Sequence, residues 1–324
     1  MSDRAPADLS ALTDLATPWC VHVAVTLRVA EHIAAGTTRI ADLATATGCD
    51  REALHNVLGH LAGKGVFAEP APGHFALNET AERLLDPGVQ IGLDLEGVGG
   101  RFAGAWSTLP TYVLTGAPGY AEAFGLPFWD DLDAHPDLAA SFDELIGPTG
   151  HGSPDTFEID GGWSAVRHLV DVGGGTGAML AELLSAHEHL RATLVDLPRT
   201  VARSSAILAD VADRATTVGQ SFFDPLPSGA DLYLLRGVLN DWPDAEATAI
   251  LRRCAEAGGP NGRVVVLKGV DADDRRRGLS IEMVLLGGRH RTLSELRELA
   301  ATAGLDVTAV GRHRTHLVVE CRQT

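Results

Sequence analysis

The chain has 324 residues, with 43 acidic side chains against 26 lysines and arginines and a formal charge of −17. That balance argues against nucleic acid or an anionic membrane surface as the main partner. No segment approaches the ~20 apolar residues that span a bilayer; the opening Met1-Ser-Asp-Arg lacks a basic and apolar export signal; and Cys20, Cys49, Cys254 and Cys321 form no C-x-x-C pair, so reduced thiols and a cytoplasmic setting are expected.

Residues 18–35 are apolar on nearly all sides (Val21, Val23, Val25, Leu27, Val29, Ile33) up to Gly36. A helix of that kind is buried on more than one side, against a partner subunit or within a bundle. A short helix over Ile40–Ala46 stops near Gly48. Asp50 caps a third, with Leu54, Val57, Leu58 and Leu61 on one face. A hairpin pairs residues 66–69 with 74–77 through Pro70, Pro72 and Gly73. Three helices and a two-stranded wing predict a winged-helix dimerisation unit over residues 1–95. Its candidate recognition helix, Asp50–Lys64, carries only Arg51 and Lys64 as firm positive charges, against the basic footprint of a DNA reader.

Residues 96–155 read as mostly helical and rich in aromatics: Phe102, Trp106, Tyr112, Tyr120, Phe124, Phe128, Trp129 and Phe142. Gly125-Leu-Pro-Phe-Trp129 opens one helix and His135-Pro-Asp137 another. Plain core and the wall of a pocket for a flat substrate both account for such aromatics. His151, in the glycine-rich connection 147–152, reads as a solvated linker histidine.

Over residues 156–324 strands and helices alternate, with strands at 168–172, 192–196, 214–219, 230–236, 263–267, 305–312 and 316–321. The short turn joining the last two makes them antiparallel. The pattern predicts an α/β, Rossmann-like fold: a parallel nucleotide-binding sheet closed by a reversed hairpin, the sheet expected of a class I methyltransferase.

The centre of that reading is Asp171-Val-Gly-Gly-Gly-Thr-Gly177, which ends an apolar strand and opens a helix at Ala178. Glycines there let a ligand approach the backbone and the helix N-terminal N–H groups. The spacing is G-x-G-x-G after an acid, not the dinucleotide G-x-G-x-x-G. A second acid, Asp196, ends the next strand where a doubly wound fold meets ribose hydroxyls. S-adenosyl-L-methionine, which needs no pyrophosphate cradle, fits this pattern better than a nicotinamide dinucleotide.

With these pieces the chain resembles the S-adenosylmethionine-dependent O-methyltransferases of the plant caffeate and acetylserotonin type and their bacterial relatives of secondary metabolism. The resemblance runs from the winged-helix section through 125–129, His135-Pro136, 171–177 and Val195-Asp-Leu-Pro198. It continues through Ser221-Phe-Phe-Asp-Pro225, Asn240-Asp-Trp242 and Gly287-Gly-Arg-His-Arg-Thr292. It implies that Asp171, Gly173 and Gly175 hold the amino acid end of the cofactor and that Asp196 takes its ribose. It places Ser221 and Phe222 at adenine, and Arg236 near the cofactor carboxylate. It also implies a homodimer and a small aromatic or polyketide-like acceptor.

Two positions depart from the family. Asn240 stands where the family has its general-base histidine, and an amide cannot take a proton from a phenol. His290 stands where the family has the glutamate that orients that base. Three readings follow for the catalytic set His290, Asn240 and Asp241. His290 is the base, with Asn240 orienting it or the acceptor; or no base is needed, and proximity and desolvation carry the rate; or the scaffold runs altered chemistry, C-methylation of a 2-oxo acid or a non-methylating reaction. A surface histidine without a task is the plain alternative for His290. No metal is expected, since only His290 and Asp241 remain of a metal-binding set. Asp241 and Trp242 are expected to cap the helix through Cys254, and Glu282 and Met283 to line the acceptor pocket.

Overall fold

The computed structural model describes residues 8–146, 157–275 and 278–324; His151 and its connection lie outside them. The chain divides into two compact units, Met1–Ala103 and Gly104–Thr324.

In the first unit, helices α1 (Ala16–Thr26), α2 (Val29–Ala34), α3 (Ile40–Thr47) and α4 (Arg51–Gly63) precede the hairpin β1 (Ala68–Ala71) and β2 (His74–Ala76). Gly48, left-handed at φ 69°, ends α3, and the Asp50 carboxylate caps α4 by accepting from the Ala53 N–H at 2.8 Å. Val25, Val29, Ile33, Leu43, Leu58, Leu61, Phe67 and Phe75 form the core. The single helix expected over residues 18–35 is broken. Arg28 adopts a left-handed φ of 53° and its guanidinium donates to Gln90 at 2.9 Å. The break re-aims Val29, Ala30 and Ile33 into the core, which one straight helix apolar all round could not do. The apolar surface left exposed lies earlier: Leu9, Leu12 and Leu15 are over two-thirds exposed and Trp19 is 48% exposed.

The second unit begins with short helices, among them α5 (Phe128–Ala134) and α6 (Pro136–Ile146). The buried carboxylate of Asp131 accepts from the Tyr120 hydroxyl at 2.6 Å and pairs with His135 at 2.9 Å, which ties the end of α5 to the helix before it. Next come β3 (His168–Val172), α7 (Ala178–Ala186), β4 (Arg191–Asp196), β5 (Ala215–Gly219) and β6 (Leu232–Arg236). The chain closes with α8 (Asp244–Gly258), β7 (Arg263–Leu267), β8 (Val270–Asp271), α9 (Ile281–Leu286), β9 (Arg291–Thr292), α10 (Leu293–Thr302), β10 (Leu305–His313) and β11 (His316–Gln323).

The seven-stranded sheet has the order β10-β11-β7-β6-β3-β4-β5. Strands β3 to β7 are mutually parallel, while β11 runs antiparallel to β7 and β10 to β11. The chain winds outward from β3 to β5 and returns to β6 on the other side, so the crevice between β3 and β6 is the switch point where such sheets bind ligands. Strands buried on both faces read as continuous apolar runs. Val170, Tyr233, Leu235 and Val264 meet α8 and α10, whereas Leu169, Leu194, Leu232 and Leu234 meet α7. No helix among the described residues is long and apolar enough to cross a membrane.

Candidate active site

Side chains alternate along a strand, so Asp171, Asp196 and Arg236 all fall on the α7 face, each at or near the carboxyl end of its strand. Asp171 is 1% exposed and neither of its carboxylate oxygens has a hydrogen-bond partner. Burial pushes it up to about 7, eased by Arg236 and reinforced by Asp196. The Arg236 Nε is likewise buried without a partner, and burial lowers its pKa against the pull of Asp171. Unpartnered buried groups of opposite sign mark a place completed by a ligand.

The glycine turn is shaped by its neighbours. A side chain on Gly174 would collide with the Asp171 carboxylate and with Leu194, and one on Gly173 would come within 2.9 Å of Val238 and 3.4 Å of the Phe222 ring. Gly175, left-handed at φ 63°, has nothing within 4 Å of that direction. Its N–H donates to Asp196 at 2.8 Å, and the Leu197 N–H donates to the other Asp196 oxygen at 2.7 Å. These bonds oppose the burial that pushes Asp196 up to about 6. Ser221 uses its hydroxyl to accept from the Phe223 N–H at 3.2 Å, holding the turn that presents Phe222.

A chain of rings leads away from this turn. Trp242 meets Phe222 edge-on at 5.8 Å and Phe223 at 4.9 Å, and lies nearly parallel to Trp129 of α5 at 6.4 Å; Trp129 in turn packs edge-on against Phe142 of α6 at 5.6 Å. The aromatics of 125–142 therefore adjoin the Asn240-Asp-Trp242 stretch.

Asn240 is 7% exposed. Its amide nitrogen donates to Asp241 at 2.9 Å, while its Oδ1 has no partner. The side chain is wedged against Gly269, where an added Cβ would lie 2.6 Å from Oδ1. Asp241 does not cap α8: the helix starts at Asp244 behind Pro243, and the Asp241 carboxylate is engaged by Asn240 instead. Burial, reinforced by Glu282, raises its pKa well above the usual carboxylate range.

His290 points elsewhere. Its Nδ1 lies 3.3 Å from Asp271, its side chain is 42% exposed, and Asp271 also pairs with Arg275. Among the described residues no hydrogen bond links His290 to Asn240. The short parallel pair β8–β9 sets this: Val270 faces Arg291 and Asp271 faces Thr292, so Arg291 turns inward and His290 outward.

Two residues escaped the sequence reading. Arg291, 2% exposed, donates to the carbonyls of Leu239 at 2.6 Å and Trp242 at 2.7 Å and holds Asp244 with two nitrogens; it fixes the loop that carries Asn240. Lys268, half-buried at the end of β7 beside Arg236, has a left-handed φ of 68°. The signal available for Lys268 was a base directly after the four apolar strand residues Val264–Leu267 and before Gly269. Among the described residues no group of three or more His, Cys, Asp or Glu side chains could hold a metal ion.

The profile of the O-methyltransferase domain family matches residues 106–306. The chain is 44% identical over 311 residues, 93% of each chain, to the 2,7-dihydroxy-5-methyl-1-naphthoate 7-O-methyltransferase of Streptomyces carzinostaticus. It is 39% identical to aclacinomycin 10-hydroxylase RdmB of Streptomyces purpurascens, over 92% of this chain and 83% of that one. Among solved structures it superposes with a TM-score of 0.89, at 40% identity over 99% and 100% of the two chains, on NcsB1, an O-methyltransferase from neocarzinostatin biosynthesis. That enzyme was solved with S-adenosylmethionine and 2-hydroxy-5-methyl naphthoic acid, and also with S-adenosylhomocysteine and 1,4-dihydroxy-2-naphthoic acid.

Proposed function

We propose, from the premise that this chain belongs to the S-adenosylmethionine-dependent O-methyltransferases of bacterial secondary metabolism, that it methylates a ring hydroxyl of a hydroxyaryl carboxylic acid or a related aromatic polyketide. The observation that carries the reading is the buried, unpartnered Asp171 carboxylate beside the unpartnered Arg236 Nε. They are complementary to the ammonium and the carboxylate of an amino acid. Bound there, the cofactor supplies an electrophilic sulfonium methyl group. Gly173 and Gly175 leave room for it, Asp196 accepts from ribose hydroxyls, and Ser221 and Phe222 face adenine.

On the acceptor side, the helices within residues 104–146 supply the walls, with Trp129 and Phe142 for a flat ring. Asn240 and Asp241 provide polar contacts for the reacting hydroxyl. Asn240 holds no proton-accepting nitrogen, and His290 is turned to Asp271, so orientation and exclusion of water carry the rate. One observation favours His290 as base: Asp271 engages Nδ1, the arrangement that leaves the other ring nitrogen to take a proton. The exposed Leu9, Leu12, Leu15 and Trp19 support a homodimer formed through the first unit.

The test is incubation with S-adenosylmethionine and 1,4-dihydroxy-2-naphthoic acid or 2-hydroxy-5-methylnaphthoic acid. The expected result is a singly O-methylated product with one equivalent of S-adenosylhomocysteine. A product that gains an oxygen atom, or no turnover of either acid, overturns the reading.

A further inference from the structure

We infer that Lys268 is the cation that holds the acceptor's reacting oxygen in its ionised form. The inference rests on the O-methylation reading above.

The position comes first. Arg236 and Leu267 are register partners at the ends of β6 and β7, and the Gly237 N–H donates to the Leu267 carbonyl at 2.8 Å. Lys268 follows directly, at the carboxyl edge of the sheet. Its next neighbour, Gly269, packs against the Asn240 side chain. Lys268 is thus set between Arg236, which serves the cofactor, and Asn240, which stands at the family's base position.

The second observation is backbone conformation. Lys268 and Gly269 are both left-handed, at φ 68° and 74°. For a lysine that conformation is disfavoured, because the Cβ crowds the following carbonyl oxygen, and a glycine would adopt it freely. The strain holds the start of the side chain in a direction that an ordinary strand end would not give.

The third is charge. In a chain with 43 acids and 26 bases, the Lys268 ammonium makes no hydrogen bond or ion pair among the described residues. The charged groups near it are Arg236 on β6, which faces Asp171, and, beyond His316 on β11, Arg275 with its partner Asp271; burial, then Lys268 and Arg275, lower the His316 pKa and favour its neutral form. Burial, followed by Arg236, lowers the Lys268 pKa to about 8. A half-buried ammonium beside a guanidinium and without a counter-ion is completed by an anion. Arg236 already has the cofactor carboxylate, which leaves a second anion to the acceptor.

This accounts for the missing base. An opposite charge within about 4–6 Å lowers the pKa of an acidic group by about one to three. A ring hydroxyl held by Lys268 releases its proton to water before transfer. The oxygen then brings its electron pair to the methyl carbon as the carbon–sulfur pair withdraws to sulfur. No side chain has to receive the proton.

The test reads ionisation directly. 1,4-Dihydroxy-2-naphthoic acid is bound to the complex of the protein with S-adenosylhomocysteine, and its absorbance is titrated. In the wild type the ring hydroxyl should ionise at a pH at least about one below that of the free acid, a tenfold change in its constant. Lys268→Met should return the titration to the free value and Lys268→Arg should keep it lowered, because arginine carries the charge and accepts no proton. Calorimetry should show the same S-adenosylhomocysteine affinity in all three proteins. An unchanged titration in Lys268→Met overturns the assignment, as does a Lys268→Arg protein that behaves like Lys268→Met. Loss of S-adenosylhomocysteine binding would make Lys268 a cofactor residue and overturn it too. Failure of the acid to bind wild type at millimolar concentration overturns the acceptor class itself.

Discussion

Arg291 donates through Nη1 to the carbonyl of Leu239 at 2.6 Å, and so the residue after His290 in sequence governs the residue before Asn240. Its other bonds, to Trp242 and Asp244, close the same loop. Arg291→Met should destabilise the protein by about 2–4 kcal/mol, since it leaves buried carbonyls without donors. Denaturant unfolding with unchanged m-value would register this. A loss below about 1 kcal/mol would mean that the loop stands without its guanidinium.

Cofactor affinity should depend on pH. Asp171 and Asp196 are raised to about 7 and about 6, above the ~3.9 of an unfolded carboxyl. The free fold therefore binds protons there that the unfolded chain has released. Their stabilising contribution is present below about pH 4 and is lost as pH rises through about 6 to 7. Binding of an ammonium group requires the ionised form, so S-adenosylhomocysteine should bind more tightly as pH rises from 5 to 7.5 and should release protons. Calorimetry in buffers of different ionisation enthalpy measures that release; identical heats in all buffers would contradict it.

Neighbouring glycines should behave differently. Gly174→Ala forces a methyl group into Asp171 and Leu194 and should lower apo stability by about 1–3 kcal/mol. Gly175→Ala meets open space but keeps a left-handed φ, a cost of about 1–2 kcal/mol. Its added methyl group takes up the room left for the cofactor, so its larger effect should be on S-adenosylhomocysteine binding. Thermal melts with and without S-adenosylhomocysteine separate the two.

His290→Ala should leave turnover within about threefold of wild type if orientation carries the reaction. A base would cost roughly 10²–10⁴-fold and would leave a limb near ~6.5 in the pH profile. Asn240→Ala should cost more than His290→Ala, through its buried contact with Asp241. Turnover across pH 5–9 ranks the two variants.

For assembly, a dimer is expected in light scattering at micromolar concentration. The paired substitution Leu12→Asp and Leu15→Asp, at side chains exposed by 71% and 76%, should shift it to monomer while leaving the melting of the first unit intact. A wild-type monomer would remove the first unit as the dimer contact.

The sheet was legible because its signals are local and strong. Runs such as Arg263-Val-Val-Val-Leu267 and the turn after Asp171 need no partner to be recognised. The break at Arg28 was not, because a left-handed arginine looks like any other helix residue in sequence. Two-residue strands such as β8 and β9 have no periodicity to detect. Their pairing decides that Arg291 turns inward and His290 outward, so the reading of His290 depended on contacts nineteen to twenty-one positions away. Asp241 looked like a helix cap because Pro243 follows it; the buried amide of Asn240 claims its carboxylate instead.

The strand order has a consequence for biosynthesis. β11 follows β10 in sequence but lies between β7 and β10 rather than at an edge. Until residues 316–323 have left the ribosome, β7 has an open flank and β10 has no partner. Val318, Val319 and Cys321, all nearly inaccessible in the finished protein, have yet to join either face of the sheet. The first unit precedes the sheet and can fold during synthesis, but the cofactor half must wait until residues 316–323 have emerged. Loss of residues 316–323 would leave β10 without a partner and bare the flank of β7, with β6 still between that flank and β3.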